Sequence, residues 1–264
     1  MAQPVGCRAP TRTVGFKMIV DPAPGEFSLF FDVDGTLIDI APHPDDVVVS
    51  PALVLDLRSA LSRFGGAVAL ISGRTVGNLD LLFAPLRMPA SGVHGAEFRF
   101  EPDGMIETLG LGLPTAVWEQ LMVLLAGLPG VLVENKTYSF AVHYRATPHL
   151  RGDLEATLAG FIASHADLGL KLMPGHYVFE LKPPAINKGA AISRFLEVPE
   201  FRGRRPIFLG DDVTDQAGFD MVLAHGGFAY SVGAPASGVS GHFANPATVR
   251  EWLSSILVSE KHSA

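Results

Sequence analysis

The sequence predicts an α/β protein, with a Rossmann-like parallel-sheet core interrupted by an inserted α+β domain that carries an antiparallel sheet. Three observations predict it. Short apolar runs alternate with segments of helical period near the start of the chain and again near its end. Between them the alternation breaks into an αββαββ order. Acidic or Ser-Gly clusters follow the apolar runs directly, as at the ligand-facing ends of parallel strands.

Ser28 to Val33 is a short apolar run ending in acidic residues, which reads as a buried strand meeting its functional end. Pro51 to Phe64 places Leu53, Leu57, Leu61 and Phe64 at helical spacing, with Pro51 in a first turn behind Ser50. Ala67 to Ile71 reads as a second buried strand stopped by Ser72-Gly73, and Thr75 to Phe83 as the helix after it. Two strand–helix units in succession predict right-handed crossovers in a parallel sheet. From about Gly104 the pattern changes. Pro114 to Leu125 reads as a helix, followed by strands over Val131–Glu134 and Tyr138–Tyr144 around a turn at Asn135-Lys136. Leu150 to His165 repeats this, with strands over Leu170–Met173 and Tyr177–Leu181 around Pro174-Gly175. The alternation then returns. A helix over Lys188–Leu196 is capped by Asn187 and precedes a strand over Pro206–Leu209. A helix over Thr214–Leu223, a strand over Gly227–Val232 and a terminal helix over Pro246–Val258 complete the order. The expected division is a tail over residues 1–25, a core over 26–108 and 183–264, and the inserted domain over 109–182.

Composition narrows the function classes. With 48% hydrophobic and 18% charged residues, the chain has what a packed core needs and is not a disordered one. The apolar stretch Leu109–Val133 is interrupted by Pro114, Glu119, Gln120 and Pro129, so no membrane span is expected. The first residues lack the apolar run of a secretory signal. Cys7 is the only cysteine, so no internal disulfide can form, and a cytoplasmic setting is expected. A formal net charge of −7 argues against a nucleic-acid partner. The same charge means that an anionic substrate must be recognised by a few placed cations and a metal. A monomer is expected.

The chemistry-bearing residues stand at strand ends and helix starts. Asp32-Val33-Asp34-Gly35-Thr36 follows the first core strand. Its two carboxylates repel unless neutralised, which a hard divalent cation does, and Gly35 permits a sharp turn and a close approach. A lone D-x-D equally fits an acidic turn. Gly210-Asp211-Asp212-Val213-Thr214-Asp215 ends another strand, and its carboxylates either complete a cation site or cap the next helix. Ser72-Gly73-Arg74 offers a hydroxyl and amides suited to a phosphate oxygen, or is a common turn. Lys188 at a helix start is locally unfavourable unless an anion is near, although an exposed lysine reads the same way.

In this chain order the four segments resemble the motifs of the haloacid dehalogenase-like (HAD) phosphatase superfamily: D-x-D-G-T from Asp32 to Thr36, the motif serine at Ser72, the motif lysine at Lys188, and an acidic cluster at Asp211, Asp212 and Asp215. The inserted domain resembles that superfamily's α+β cap. The resemblance implies a catalytic set of Asp32, Asp34, Thr36, Ser72 and Lys188. Asp32 is the expected nucleophile and Asp34 the expected acid and base. It also implies Mg2+, held by the Asp32 carboxylate, the Asp34 carbonyl and Asp211, with Asp212 and Asp215 in support.

Further segments narrow the substrate. His94-Gly95-Ala96-Glu97 follows a third core strand, Glu134-Asn135-Lys136 lies on a cap hairpin, His143-Tyr144-Arg145 ends its partner, and Glu180-Leu181-Lys182-Pro183 precedes Lys188. Together with Ser72-Gly73-Arg74 they resemble the trehalose-6-phosphate phosphatase family. That resemblance implies sugar contacts by Glu134, Lys136, Arg145 and Glu180, and by Arg74, His94 and Gly95 on the core side. Lys182 and Gln216 depart from the family pattern, where Arg and Glu are common. Singly, the cap residues read equally as surface charge. Rival readings are a phosphatase for sucrose phosphate or mannosyl phosphoglycerate, and a non-catalytic sugar-phosphate-binding regulator. Cap closure over the core during turnover is also expected.

Overall fold

The computed structural model describes residues 11–12, 19–40, 47–110, 112–175 and 177–258. In chain order its strands are β1 (Thr11–Arg12), β2 (Ile19–Val20), β3 (Phe27–Phe31), β4 (Val68–Ile71), β5 (Ala90–Gly92), β6 (Glu97–Arg99), β7 (Glu107–Thr108), β8 (Leu132–Asn135), β9 (Phe140–His143), β10 (Lys171–Gly175), β11 (Val178–Lys182), β12 (Arg205–Gly210), β13 (Phe228–Val232) and β14 (Gly241–Phe243). The α-helices are α1 (Pro51–Arg63), α2 (Val76–Leu82), α3 (Thr115–Leu125), α4 (Arg151–Ser164), α5 (Lys188–Leu196), α6 (Gln216–Ala224) and α7 (Pro246–Val258). None of these helices is long and apolar enough to cross a membrane.

The chain separates into two units, residues 1–107 with 187–264, and residues 108–186. The first is built on a sheet of order β14-β13-β12-β3-β4-β5-β6-β7. Pairing from β14 through to β5 is parallel, and the β5–β6 pair is antiparallel. Alternation along β3 supplies both faces. Leu29 and Phe31 pack with Leu53 and Leu57 of α1 and Val249 and Leu253 of α7. Phe30 packs on the other side with Ile192 and Phe195 of α5 and Phe219 of α6. Burial of a side chain such as Phe30 contributes about 1.5–3 kcal/mol. The chain runs from β3 outward through β4 and β5, then returns to add β12 on the other side of β3. The sheet therefore reverses its winding between β3 and β12, and a crevice opens outside the carboxyl ends of these two strands.

The second unit has an antiparallel sheet of order β10-β11-β9-β8. Phe140, Val142, Phe179 and Leu181 cover one of its faces, where they meet Val117, Leu121 and Leu125 of α3 and Leu154, Leu158 and Phe161 of α4.

Local capping follows the sequence. Ser50 accepts the Leu53 N–H at 3.2 Å, with Pro51 in the first turn of α1. Asn187 accepts the Ala190 N–H at 2.8 Å at the start of α5. One residue within the expected tail reaches the core. Val20 is buried in the core, its N–H bonds the Tyr230 hydroxyl at 3.0 Å, and its carbonyl accepts from Trp252 Nε1 at 3.3 Å. The remainder of that segment, except Thr11–Arg12, Ile19 and residues 21–25, lies outside the described residues, as does Cys7.

Candidate active site

Asp32 follows β3 directly, and its backbone N–H donates to Leu209 O of β12 at 2.9 Å. That bond places it beside Asp211 at the point where the sheet reverses. Gly35 turns the chain at φ 78°, and three amides, those of Thr36, Leu37 and Ile38, converge on the Val33 carbonyl. Two constraints fix glycine at position 35. Its φ lies in the left-handed region, and a Cβ would stand 2.0 Å from Asp211 Oδ2.

Lys188 joins the two strand-end clusters. Its Nζ donates to Asp32 Oδ1 and to Asp215 Oδ1, each at 2.6 Å, and all three groups are buried. Thr36 Oγ1 donates to Asp32 Oδ2 at 3.2 Å. Asp215 Oδ2 accepts the Asp212 N–H at 2.9 Å, so both oxygens of Asp215 are engaged. Burial pushes Asp32 up to about 6, against the pull of Lys188 and with a further push from Asp211. Burial and the charge of Asp215 raise Asp211 to about 6, and burial and the charge of Asp32 raise Asp215 to about 6. For Lys188 burial works downward, but Asp32 and Asp215 outweigh it and hold the ammonium above its ordinary range. At neutral pH this is a group of close carboxylates with one ammonium among them.

Among the described residues, Asp32, Asp211 and Asp215 each offer an oxygen within 4.8 Å of the others, which is a geometry that could hold a metal ion. Asp212 and Asp34 do not join this carboxylate group. The Asp212 side chain accepts the Val213 N–H at 2.7 Å, as the capping alternative expects. The Asp34 side chain is taken by Arg74, whose Nε and Nη2 donate to its two oxygens at 2.7 Å each. Arg74, expected to line the core side of the sugar site, is paired here with Asp34 of the loop after β3. Ser72 is buried, and its Oγ accepts the Arg74 N–H at 3.1 Å. The loop holding His94 and Gly95 bonds back to this one, with Val93 N–H to Arg74 O and His94 N–H to Ser72 O, both at 2.9 Å. A Cβ on Gly95 would meet the Asn187 carbonyl oxygen at 2.8 Å, so glycine permits a close backbone approach there.

In the second unit, Glu134 of β8 and Glu180 of β11 both pair with Ala141 of β9. They therefore share one sheet face, opposite Phe140 and Val142, on either side of a small residue. Glu180 meets Ser139 at 3.0 Å, Lys182 at 3.3 Å and Lys136 at 3.8 Å, while Glu134 meets His143 at 3.3 Å. Arg145 is exposed past the end of β9 and is not part of this row. Gln216 bonds Asp220 one helical turn on, at 2.8 Å, an ordinary helix-surface pair. Sequence reasoning assigned no role to Glu97, whose carboxylate bonds the Val76 N–H at 2.8 Å. Its place beside His94-Gly95-Ala96 was the only available signal.

Comparison with known proteins agrees with this geometry. The trehalose-phosphatase family profile matches residues 30–247. The chain is 40% identical over 235 residues to trehalose-6-phosphate phosphatase of Escherichia coli K12, covering 88% of this chain and 86% of that protein. It is also 40% identical over 213 residues to a probable trehalose-phosphate phosphatase of Sinorhizobium fredii, covering 79% of this chain and 78% of the relative. Among solved structures, a trehalose-6-phosphate phosphatase related protein superposes with a TM-score of 0.65 at 26% identity, over 87% of this chain and 97% of the other. The C-terminal domain of Candida albicans trehalose-6-phosphate phosphatase shares the fold with a TM-score of 0.73 at 22% identity, over 88% and 92% of the two chains. With its sheet reversal, its lysine-bridged carboxylates and this breadth of likeness, the chain belongs to the trehalose-phosphatase family.

Proposed function

We propose that the protein hydrolyses trehalose 6-phosphate to trehalose and phosphate, and that it does so in the cytoplasm. The observation that carries the reading is the Asp32–Lys188–Asp215 array, at 2.6 Å on both sides, with Asp34 two residues along in a chain of this family. Asp32 attacks phosphorus. The bond from phosphorus to the sugar oxygen breaks, and the leaving oxygen takes a proton from Asp34. Asp34 then accepts a proton from the water that attacks the acyl phosphate, which releases phosphate and restores Asp32. Two of the three Lys188 donors serve Asp32 and Asp215, and the third can meet a phosphoryl oxygen. Ser72 is assigned to a second phosphoryl oxygen. In an acidic protein these few placed donors take the place of a broad positive surface.

The carboxylate group fits a hard cation, because its donors are all oxygen and their pKa values are raised by burial and mutual repulsion. We assign Mg2+ to Asp32, Asp211 and the Asp34 carbonyl, with Asp215 and Asp212 in support. When bound, it neutralises charge on the phosphoryl oxygens. Sugar recognition is assigned to the cap, to Glu134, Lys136, Arg145 and Glu180, because carboxylates accept pairs of sugar hydroxyls. The test is phosphate release from a panel of sugar phosphates with Mg2+. Trehalose 6-phosphate is expected to give the highest kcat/KM, and equal values across the panel would sink the substrate assignment.

A further inference from the structure

Glu97 takes no part in the reaction scheme above, yet its carboxylate touches the loop that builds one wall of it. It opens β6 and pairs directly with Gly92 of β5. Its Oε2 accepts the Val76 N–H at 2.8 Å, two residues beyond Ser72-Gly73-Arg74. The backbone bonds from Val93 and His94 to Arg74 and Ser72 tie the same two loops together at 2.9 Å each. Gly92 makes this approach possible, since a Cβ there would lie 2.7 Å from Val76 N and 2.8 Å from Arg74 O. The turn that carries these bonds holds Val93 at φ 48° and His94 at φ 54°. A β-branched residue is strained in the left-handed region and stays there only when several surrounding contacts agree. Backbone bonds to Arg74 and Ser72 hold that turn, and the Glu97 side chain adds a further bond from the same segment to the neighbouring loop, at Val76 N–H.

We propose that Glu97 is a positioning residue: by pinning the Val76 N–H it fixes the loop that presents Ser72 and aims the Arg74 guanidinium at Asp34. The proposal rests on the phosphoryl-transfer reading of Asp32, Asp34 and Ser72.

The test compares wild type, Glu97→Gln and Glu97→Ala in phosphate release from trehalose 6-phosphate with Mg2+, alongside thermal melts. Gln keeps an oxygen that can accept from Val76, and Ala does not. Glu97→Ala is expected to lower kcat about 10-fold, with KM changed less than about threefold, because misplacing a catalytic loop acts on the chemical step. Glu97→Gln is expected to keep kcat within about threefold of wild type. In an Arg74→Ala background the Glu97→Ala change should cost less than about threefold more, since both act through one loop. Wild-type kcat in Glu97→Ala overturns the proposal. So does a higher KM at unchanged kcat, which marks a substrate contact, and so does an equal loss in Glu97→Gln. If Glu97→Ala melts below the assay temperature, Glu97→Asp replaces it with the same expected and overturning outcomes. If wild type releases phosphate from no sugar phosphate, the functional reading fails separately. Amide exchange at Val76 then decides for Glu97: faster exchange in Glu97→Ala supports the positioning bond, and unchanged exchange overturns it.

Discussion

Arg74 holds Asp34 by a forked ion pair in which each of its two nitrogens meets a different carboxylate oxygen at 2.7 Å. The fork fixes the orientation of the group assigned to proton transfer and occupies both of its oxygens. One of these bonds must be exchanged when Asp34 meets the leaving oxygen. Arg74→Ala is therefore expected to lower kcat by about 10- to 100-fold while phosphate release remains measurable. Arg74→Lys should recover little, because an ammonium is a point charge and cannot make two parallel bonds. Steady-state kinetics of both variants decide this, and a Lys variant at wild-type kcat would show that charge alone suffices.

Lys188 and Asp32 give the sharpest test of the nucleophile. Asp32→Asn keeps the size of the side chain and an oxygen for the Lys188 bond, so the fold should persist. The loss of the attacking carboxylate should lower kcat about 1000-fold or more, which is ~4 kcal/mol in the barrier. Circular dichroism with phosphate-release assays separates these outcomes, and turnover near wild type would remove Asp32 from its assigned role.

The carboxylate group predicts a pH-dependent response to metal. Asp32, Asp211 and Asp215 are each raised to about 6 from an ordinary value near 3.8. A raised folded-state value means that the folded chain binds these protons more tightly than the unfolded chain. The resulting stability is complete below about 4 and is lost as pH rises through about 6. A cation that binds the ionised group stabilises the folded state by mass action, and does so only where the carboxylates are ionised. Melts with Mg2+ against chelator should thus differ more at pH 7.5 than at pH 5. An equal difference at both values would argue against this carboxylate site.

How much of this could be read from the sequence depended on range. Ser50 and Asn187 were legible as caps because each bonds an amide three residues on. The acidic strand ends were legible because apolar runs, Leu29–Phe31 in β3 and Pro206–Leu209 in β12, lead into them. The fork between Arg74 and Asp34 was not, since the partners lie 40 residues apart and only the β3–β4 pairing brings them together. β6 and β14 are three residues each, too short for a period to show. Val20 was missed because its stabilising partners, Tyr230 and Trp252, lie more than 200 residues away.

The ion pair of Asp80 with Arg99 was also invisible locally, and it predicts stability rather than activity. Arg99 is 1% exposed and donates to both Asp80 oxygens, at 2.5 and 2.7 Å, and to the Met88 carbonyl. Burial works to raise the Asp80 carboxyl, but Arg99, with Arg87, outweighs it and holds the group below its ordinary value. Asp80→Asn leaves a buried guanidinium without its counter-charge, which should cost about 3 kcal/mol at pH 7. A depressed value contributes stability above the unfolded value near 3.8 and loses it as pH falls further. The gap between variant and wild type in denaturant melts should narrow below about pH 4, and a constant gap would assign the effect to packing.

The row formed by Glu134, Ala141 and Glu180 predicts that substrate recognition separates from chemistry. Both carboxylates belong to the cap sheet, whereas Asp32, Asp34 and Lys188 belong to the other unit. Glu180→Gln keeps hydrogen-bonding capacity but loses the charge that Lys136 and Lys182 face. It should raise KM for trehalose 6-phosphate about 10-fold, in line with the loss of a charged hydrogen bond of roughly 1.5 kcal/mol. For p-nitrophenyl phosphate, which has no sugar hydroxyls, kcat/KM should stay within about twofold of wild type, because the phosphoryl chemistry is untouched. Equal losses on both substrates would show that Glu180 acts through the fold of the cap and not through the sugar.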